Sequence, residues 1–163
     1  MKTFLTVAMA CVCMHASAQQ HNHDHPHAND HHSHHKNEIG VANSAVYFVK
    51  EETFNYGLHL HYIRTVGESK FGLGVGYERI FDDHGHNTIG LVGSFRPIHP
   101  LSFILSPGVS LEDDHFDEPK FALHAETSYE FEIGNLHIGP LLEVAYDPDD
   151  VHISLGLHLG IGF

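Results

Sequence analysis

Cysteine is almost missing from this chain: Cys11 and Cys13 are its only two, both inside the first apolar stretch. Basic residues are scarce as well, with 8 Lys and Arg against 21 Asp and Glu. Polyanion binding needs clustered Lys and Arg, so this balance excludes nucleic acid as a partner. After the first apolar stretch no run approaches the ~18 apolar residues that a membrane-crossing helix requires. Beyond that first stretch, the chain therefore lacks the means for thiol chemistry, nucleic-acid recognition and helical membrane insertion.

The opening residues, MKTFLTVAMACVCMHASAQQ, place Lys2 before an apolar run from Phe4 to Met14, with small residues at Ala16 and Ala18. This pattern predicts a secretory signal peptide over residues 1–18. Cleavage after Ala18 removes both cysteines and leaves a mature chain without disulfides. A lipidated cysteine is the alternative, but Ala8-Met9-Ala10 matches a lipoprotein site poorly and would make the apolar run very short.

The next segment, residues 19–37, is dominated by histidine: His21, His23, His25, His27, His31, His32, His34 and His35. Its low hydrophobicity rules out a packed core and predicts a disordered leader. Neutral imidazoles bind zinc, copper, nickel and cobalt, and several on one polar tract can close around one ion in many ways. A leader of this composition reads as a metal-binding tract of broad selectivity, with a solvated spacer as the bland alternative. The 19 histidines of the whole chain also make its charge sensitive to pH near the unperturbed imidazole value of about 6.5.

From residue 38 onward the hydrophobic pattern has a period of two. In VHISLGLHLGIGF, Val151, Ile153, Leu155, Leu157, Leu159, Ile161 and Phe163 share one face, and His152, Ser154, Gly156, His158, Gly160 and Gly162 share the other. The alternation recurs between turn signals and predicts eight antiparallel strands near 39–50, 55–66, 70–81, 87–97, 101–112, 120–132, 136–146 and 151–163. The connections after the even strands read as tight turns. Those after the odd strands, EETF, DDHGH, DDHFDEP and DPDD, read as acidic or longer, so that one end carries tight turns and the other longer polar loops. A soluble barrel or sandwich is the competing architecture. Against it stand the long strands, which suit a tilted bilayer crossing, and a second face of Gly, Ser and His, which suits a narrow lumen.

The signal peptide, the eight alternating strands and the terminal aromatic of LHLGIGF resemble the small eight-stranded outer-membrane barrels of the OmpA/OmpX type. The resemblance implies an all-β, up-and-down transmembrane β-barrel over 38–163, contact with outer-membrane lipid, and recognition of Phe163 by the barrel assembly machinery. It implies location in the outer membrane of a diderm bacterium, with the leader in the periplasm. The chain departs from the OmpA plan in showing no peptidoglycan-binding domain after the barrel. Tyr47, Tyr56, Tyr62, Tyr77, Phe81, Phe95, Tyr129, Phe131 and Tyr146 are candidates for two interfacial girdles.

Four features carry candidate chemistry. The leader histidines come first. Inward residues come second: His59 and His61 as a His-x-His pair on the second strand, Glu78 on the third, and His124 and Glu126 on the sixth. Glu130, Glu143, His152 and His158 fall on the same face, and Arg96 and Lys120 offer cations for purely structural pairing. Third are the acidic connections, with Asp82, Asp83, Asp113, Asp114, Asp147, Asp149 and Asp150, which suit hard cations or simple solvation. Last is a His-x-Ser pair, His152 and Ser154, which resembles the dyad of lipid A deacylase barrels. No acidic residue follows to orient the imidazole, and both side chains face away from the lipid. The leading expectation is a non-enzymatic barrel that handles divalent transition metal, with metal-transport partners unidentified. The alternatives are a structural or adhesive barrel and, third, a lipid-modifying enzyme.

Overall fold

The computed structural model describes residues 35–163; the signal segment and the leader up to His34 lie outside the described residues. Nine strands follow one another: β1 (Asn37–Phe48), β2 (Thr53–Thr65), β3 (Phe71–Phe81), β4 (His86–Ile98), β5 (Leu101–Glu112), β6 (His115–Tyr129), β7 (Phe131–Ile133), β8 (Leu136–Tyr146) and β9 (Val151–Gly162). The three-residue β7 continues the β6 direction past Glu130, so β6 and β7 together make one stave of an eight-stave barrel. Every strand pairs antiparallel with its neighbours, β6 pairs with β8, and β1 closes the ring against β9. Closure gives every stave a paired neighbour on both sides, which is the condition for putting a sheet into hydrocarbon.

The fold has the predicted number of staves, and most ends fall within two residues of expectation. The sixth is the exception. It begins at His115 instead of near 120, because residues 115–119 extend the hairpin from a two-residue turn and Glu112 pairs with His115. This corrects the expected inequality of the loops. The acidic connections at 49–52, 82–85, 113–114 and 147–150 are about as short as those at 66–70, 99–100 and 134–135. The two ends of the barrel differ in charge, not in loop length.

Alternation sorts the side chains as period two requires. Leu73, Val75, Leu91, Leu105, Leu155 and Ile161 belong to an exposed apolar belt. Aromatics gather at both ends of it. Phe71 stacks on Phe95 with ring centroids 4.7 Å apart and Tyr129 meets Phe131 at 5.3 Å, while at the acidic end Tyr47 meets Phe54 at 4.7 Å and Tyr56 stacks on Phe81 at 5.5 Å. Such a belt flanked by girdles matches the outer surface of a membrane barrel. Asn43, a polar residue on the outward face, accepts a hydrogen bond from the Tyr56 hydroxyl.

The inward face is not uniformly polar. Val46, Phe48 and Ile80 form one buried apolar cluster, and Ile63, Val92 and Ile104 form another. Between them the wall is thin. Gly160, Gly40, His61, Gly76, Gly90, Gly108 and Ala122 follow one another in register across the sheet, leaving a row almost bare of side chains. That row leaves space for imidazoles. A Cβ on Gly40 would collide with the rings of His61 and His158, and one on Gly76 would stand 3.0 Å from His59 Nε2.

Candidate metal centre

Six histidines and five glutamates of the described residues are buried on the inward face: His59, His61, His124, His137, His152 and His158, with Glu38, Glu78, Glu126, Glu130 and Glu143. Ionised groups taken out of water need close partners, and imidazole is a weak one unless protonated or bound to metal. The observed separations are intermediate. His124 Nδ1 lies 3.4 Å from both Glu78 Oε2 and Glu143 Oε2, His59 Nδ1 lies 3.5 Å from Glu126 Oε2, and His61 Nε2 lies 3.5 Å from Glu38 Oε1. Hydrogen bonds of this kind normally run about 2.7–3.2 Å. Accordingly Glu78 Oε2, both oxygens of Glu126 and both nitrogens of His61, His152 and His158 make no hydrogen bond.

These atoms fall into three sets in which each residue offers one ligand atom and all atoms lie within 4.8 Å of one another: Glu78, His124, Glu143 and His152; His59, Glu126 and Glu143; and Glu38, His61 and His158. The spacing has a chemical meaning. Ligand atoms at about 2.0–2.1 Å from a tetrahedral zinc lie about 3.3–3.4 Å apart, close to the shorter separations here. Two imidazoles and two carboxylates make a donor set that suits zinc, copper, nickel or cobalt better than calcium.

All five barrel residues singled out in the sequence, His59, His61, Glu78, His124 and Glu126, point inward, but not into one site. His59 and His61 have ring centroids 5.5 Å apart and reach different carboxylates, so the His-x-His pair is divided between two sets. Glu78 stands opposite His59 in the β2–β3 register, yet its nearest imidazole is His124, across the lumen. Of the leader histidines only His35 is described. The residue that sequence reasoning passed over is Glu38. Its phase with Gly40 and Ala42 marks it as inward, and Arg96 Nη2 donates to its Oε2 at 2.6 Å.

Glu38, Arg96, Glu130 and His137 also line a cavity of about 310 Å³ at the end of the barrel where the chain enters and leaves, and His35 lines it as well. The His35 and His137 rings are 6.4 Å apart. At this end Asn37 and Phe163 exchange backbone hydrogen bonds, so the leader's last histidine stands beside the C-terminus at the cavity mouth.

The acidic end is arranged differently. Asp82 Oδ1 accepts the Gly85 N–H at 2.7 Å, and Asp147 Oδ1 accepts the N–H groups of Asp149 and Asp150. Arg79 forks onto Asp113 at 2.7 and 2.5 Å, and Lys120 lies 2.5 Å from both Glu112 and Asp149. The hydrogen bond from Arg79, helped by Asn87, holds the exposed Asp113 carboxyl down to about 2, and Lys120 likewise lowers Asp149. These carboxylates fold turns and pair with cations of the same chain.

The His152–Ser154 pair does not form a dyad. Ser154 Oγ donates to Glu143 Oε1 at 3.3 Å, and neither His152 nitrogen makes a hydrogen bond.

No protein-family model and no curated protein sequence matches the chain. Solved structures do. Neisserial surface protein A superposes with a TM-score of 0.59 at 11% identity, covering 78% of this chain and 96% of that one. Ail, the attachment invasion locus protein of Yersinia pestis, in complex with the heparin analogue sucrose octasulfate, gives 0.53 at 16% identity over 78% and 96%. The N-terminal barrel of Pseudomonas aeruginosa OprF gives 0.50 at 16% identity over 79% and 99%. Identities this low speak to the fold and not to the activity. The closed ring, the apolar belt and these likenesses agree: the chain folds as a small eight-stranded antiparallel β-barrel of the outer-membrane type.

Proposed function

We propose that this protein is a non-enzymatic outer-membrane barrel that binds divalent transition metal, with the His-rich leader capturing ions and the lumen holding them. The observation that carries the reading is the set of buried imidazole and carboxylate atoms that make no hydrogen bond and are spaced as ligands around an ion. Polar atoms buried without partners cost on the order of 1–3 kcal/mol each, and more when charged. A bound cation turns that cost into binding. The last leader histidine, His35, lines the cavity that Glu38 and His137 also line, which gives captured ions a short route inward. In this reading the end bearing Asn37 and Phe163 faces the periplasm, the apolar belt meets outer-membrane lipid, and Phe163 is the residue the assembly machinery reads. Metal-transport proteins of the envelope are the expected partners.

A structural or adhesive barrel is the second reading, favoured by likeness to a surface protein and an attachment protein. A sulfated polyanion such as the one in the Ail complex would meet mainly carboxylates on the acidic connections here, which weighs against the same ligand.

The test compares zinc and copper binding by the full-length protein with binding by a full-length variant whose leader histidines, His21 to His35, are replaced by Asn. Several ions per chain for the first and a smaller, tighter set for the second are expected. Equal, weak binding by both would reject the metal reading.

A further inference from the structure

Glu143 is common to two of the three ligand sets. It sits on β8 opposite Glu126 of β6 on one side and Ser154 of β9 on the other. Two positions along those same flanking strands, His124 and His152 turn to the same face. From across the lumen come His59 of β2 and Glu78 of β3, paired with each other in register. Five His and Glu side chains from four strands therefore converge on the Glu143 carboxylate of a fifth, and each of these six residues is less than 10% exposed.

Resting on the metal reading above, we infer that the lumen holds a dinuclear centre: two divalent transition-metal ions bridged by the Glu143 carboxylate. One ion takes Glu78, His124, His152 and Glu143. The other takes His59, Glu126 and Glu143, leaving a position for water. The distances divide accordingly. His124 Nδ1 is 3.4 Å from Glu143 Oε2 and from Glu78 Oε2, while His152 Nε2 lies 3.9 Å from Glu78 Oε2 and 4.0 Å from Glu143 Oε1. On the other side His59 Nδ1 is 3.5 Å from Glu126 Oε2 and 3.9 Å from Glu143 Oε2. A single ion cannot serve all six groups, because a tetrahedral ion has four positions. With one ion in the first set, Glu126 would remain a buried carboxylate whose two oxygens have no hydrogen bond and whose nearest basic partner is the His59 imidazole at 3.5 Å. A second ion removes that defect.

Charge supports the same count. Neither set includes a Lys or Arg, and the three carboxylates, once ionised as ligands, carry three negative charges. One divalent ion leaves one charge over. Two ions, with the water on the second ion giving up one proton to solvent to become hydroxide, bring the total to zero. Carboxylate-bridged pairs of this kind hold their ions about 3.5–4 Å apart.

The experiment is anomalous diffraction at the zinc edge from crystals of the full-length protein grown with zinc chloride. Two peaks about 3.5–4 Å apart on either side of Glu143 are expected. Glu143→Gln should lose both, Glu78→Gln only the first, and His59→Asn only the second. Heat-modifiable migration on a denaturing gel confirms that each variant is folded. If Glu143→Gln does not fold, the Glu78→Gln and His59→Asn pair carries the test, since independent loss of one peak each requires two ions. One peak in the wild type, or two that both survive Glu143→Gln, overturns the bridged pair while leaving metal binding intact. No peak in the lumen overturns the metal reading of the barrel itself.

Discussion

The lumen and the acidic end of this barrel use the same residue types to opposite ends. At the acidic end each of Asp82, Asp113, Asp147 and Asp149 has a close donor in its own chain, a backbone N–H, Arg79 or Lys120. In the lumen Glu78, Glu126 and Glu143 face imidazoles at 3.4 to 4.0 Å, and most of the ligand atoms are unbonded. Acidic residues at a loop are thus explained by the fold. Inside, Glu38 has Arg96, but Glu126 has no such donor, and it is on this difference that the metal proposal rests.

The largest effect that could break this contrast comes from the four-ligand set. Zinc at a hundred times its dissociation constant should stabilise the native barrel against urea by about 2.7 kcal/mol per site, and chelation should reverse it. Binding to the leader adds little to this readout, since the leader's imidazoles are available in the unfolded chain too. The double variant His124→Asn/His152→Asn should lose the increment of that set. A wild-type barrel indifferent to zinc would put the lumen on the same footing as the acidic end.

Acidification gives the next effect. Imidazole must be unprotonated to bind metal, so the zinc-dependent increment should fall by at least about tenfold in affinity between about pH 7.5 and about pH 5.5. Isothermal titration at the two values checks it, and an unchanged affinity would point to carboxylates alone.

Gly40→Ala should cost roughly 1–3 kcal/mol in urea unfolding, through overpacking against His61 and His158. It should also weaken the Glu38, His61 and His158 set.

The smallest effect belongs to the acidic end. Asp113 titrates at about 2 in the fold against an ordinary 3.8, so its contribution is present above the ordinary value and is lost as pH falls through about 2. In Asp113→Asn that acid-dependent loss should vanish, with the zinc increment unchanged. A drop in zinc stoichiometry would erase the distinction between the two regions.

Much of the barrel was legible because period two is so strict. Residues 151–163 announce their two faces without help from any other strand. The exceptions show where the pattern stops being informative. Phe48, Val46 and Ile80 face inward although apolar, since the choice between lipid and lumen for an apolar side chain depends on what stands opposite it. Which carboxylate meets which imidazole was equally hidden. His59 and His61 are neighbours in sequence, but stagger around the ring sends one toward Glu126 and the other toward Glu38. Glu38 and Arg96, an ion pair in the fold, are joined by no local signal because β1 and β4 are not adjacent in the sheet.

The seam between β1 and β9 also sets an order of events. Glu38 pairs with Gly162 near the opposite end of the chain, and the cluster around Glu143 draws on residues from His59 to His152. No early hairpin of the growing chain contains a complete ligand set, and such long-range closure is slow. The tract of residues 21–35, by contrast, carries its imidazoles within one short stretch of sequence. On the metal reading proposed above, an ion met during assembly would be held first by the leader and would reach the lumen only after the ring shuts.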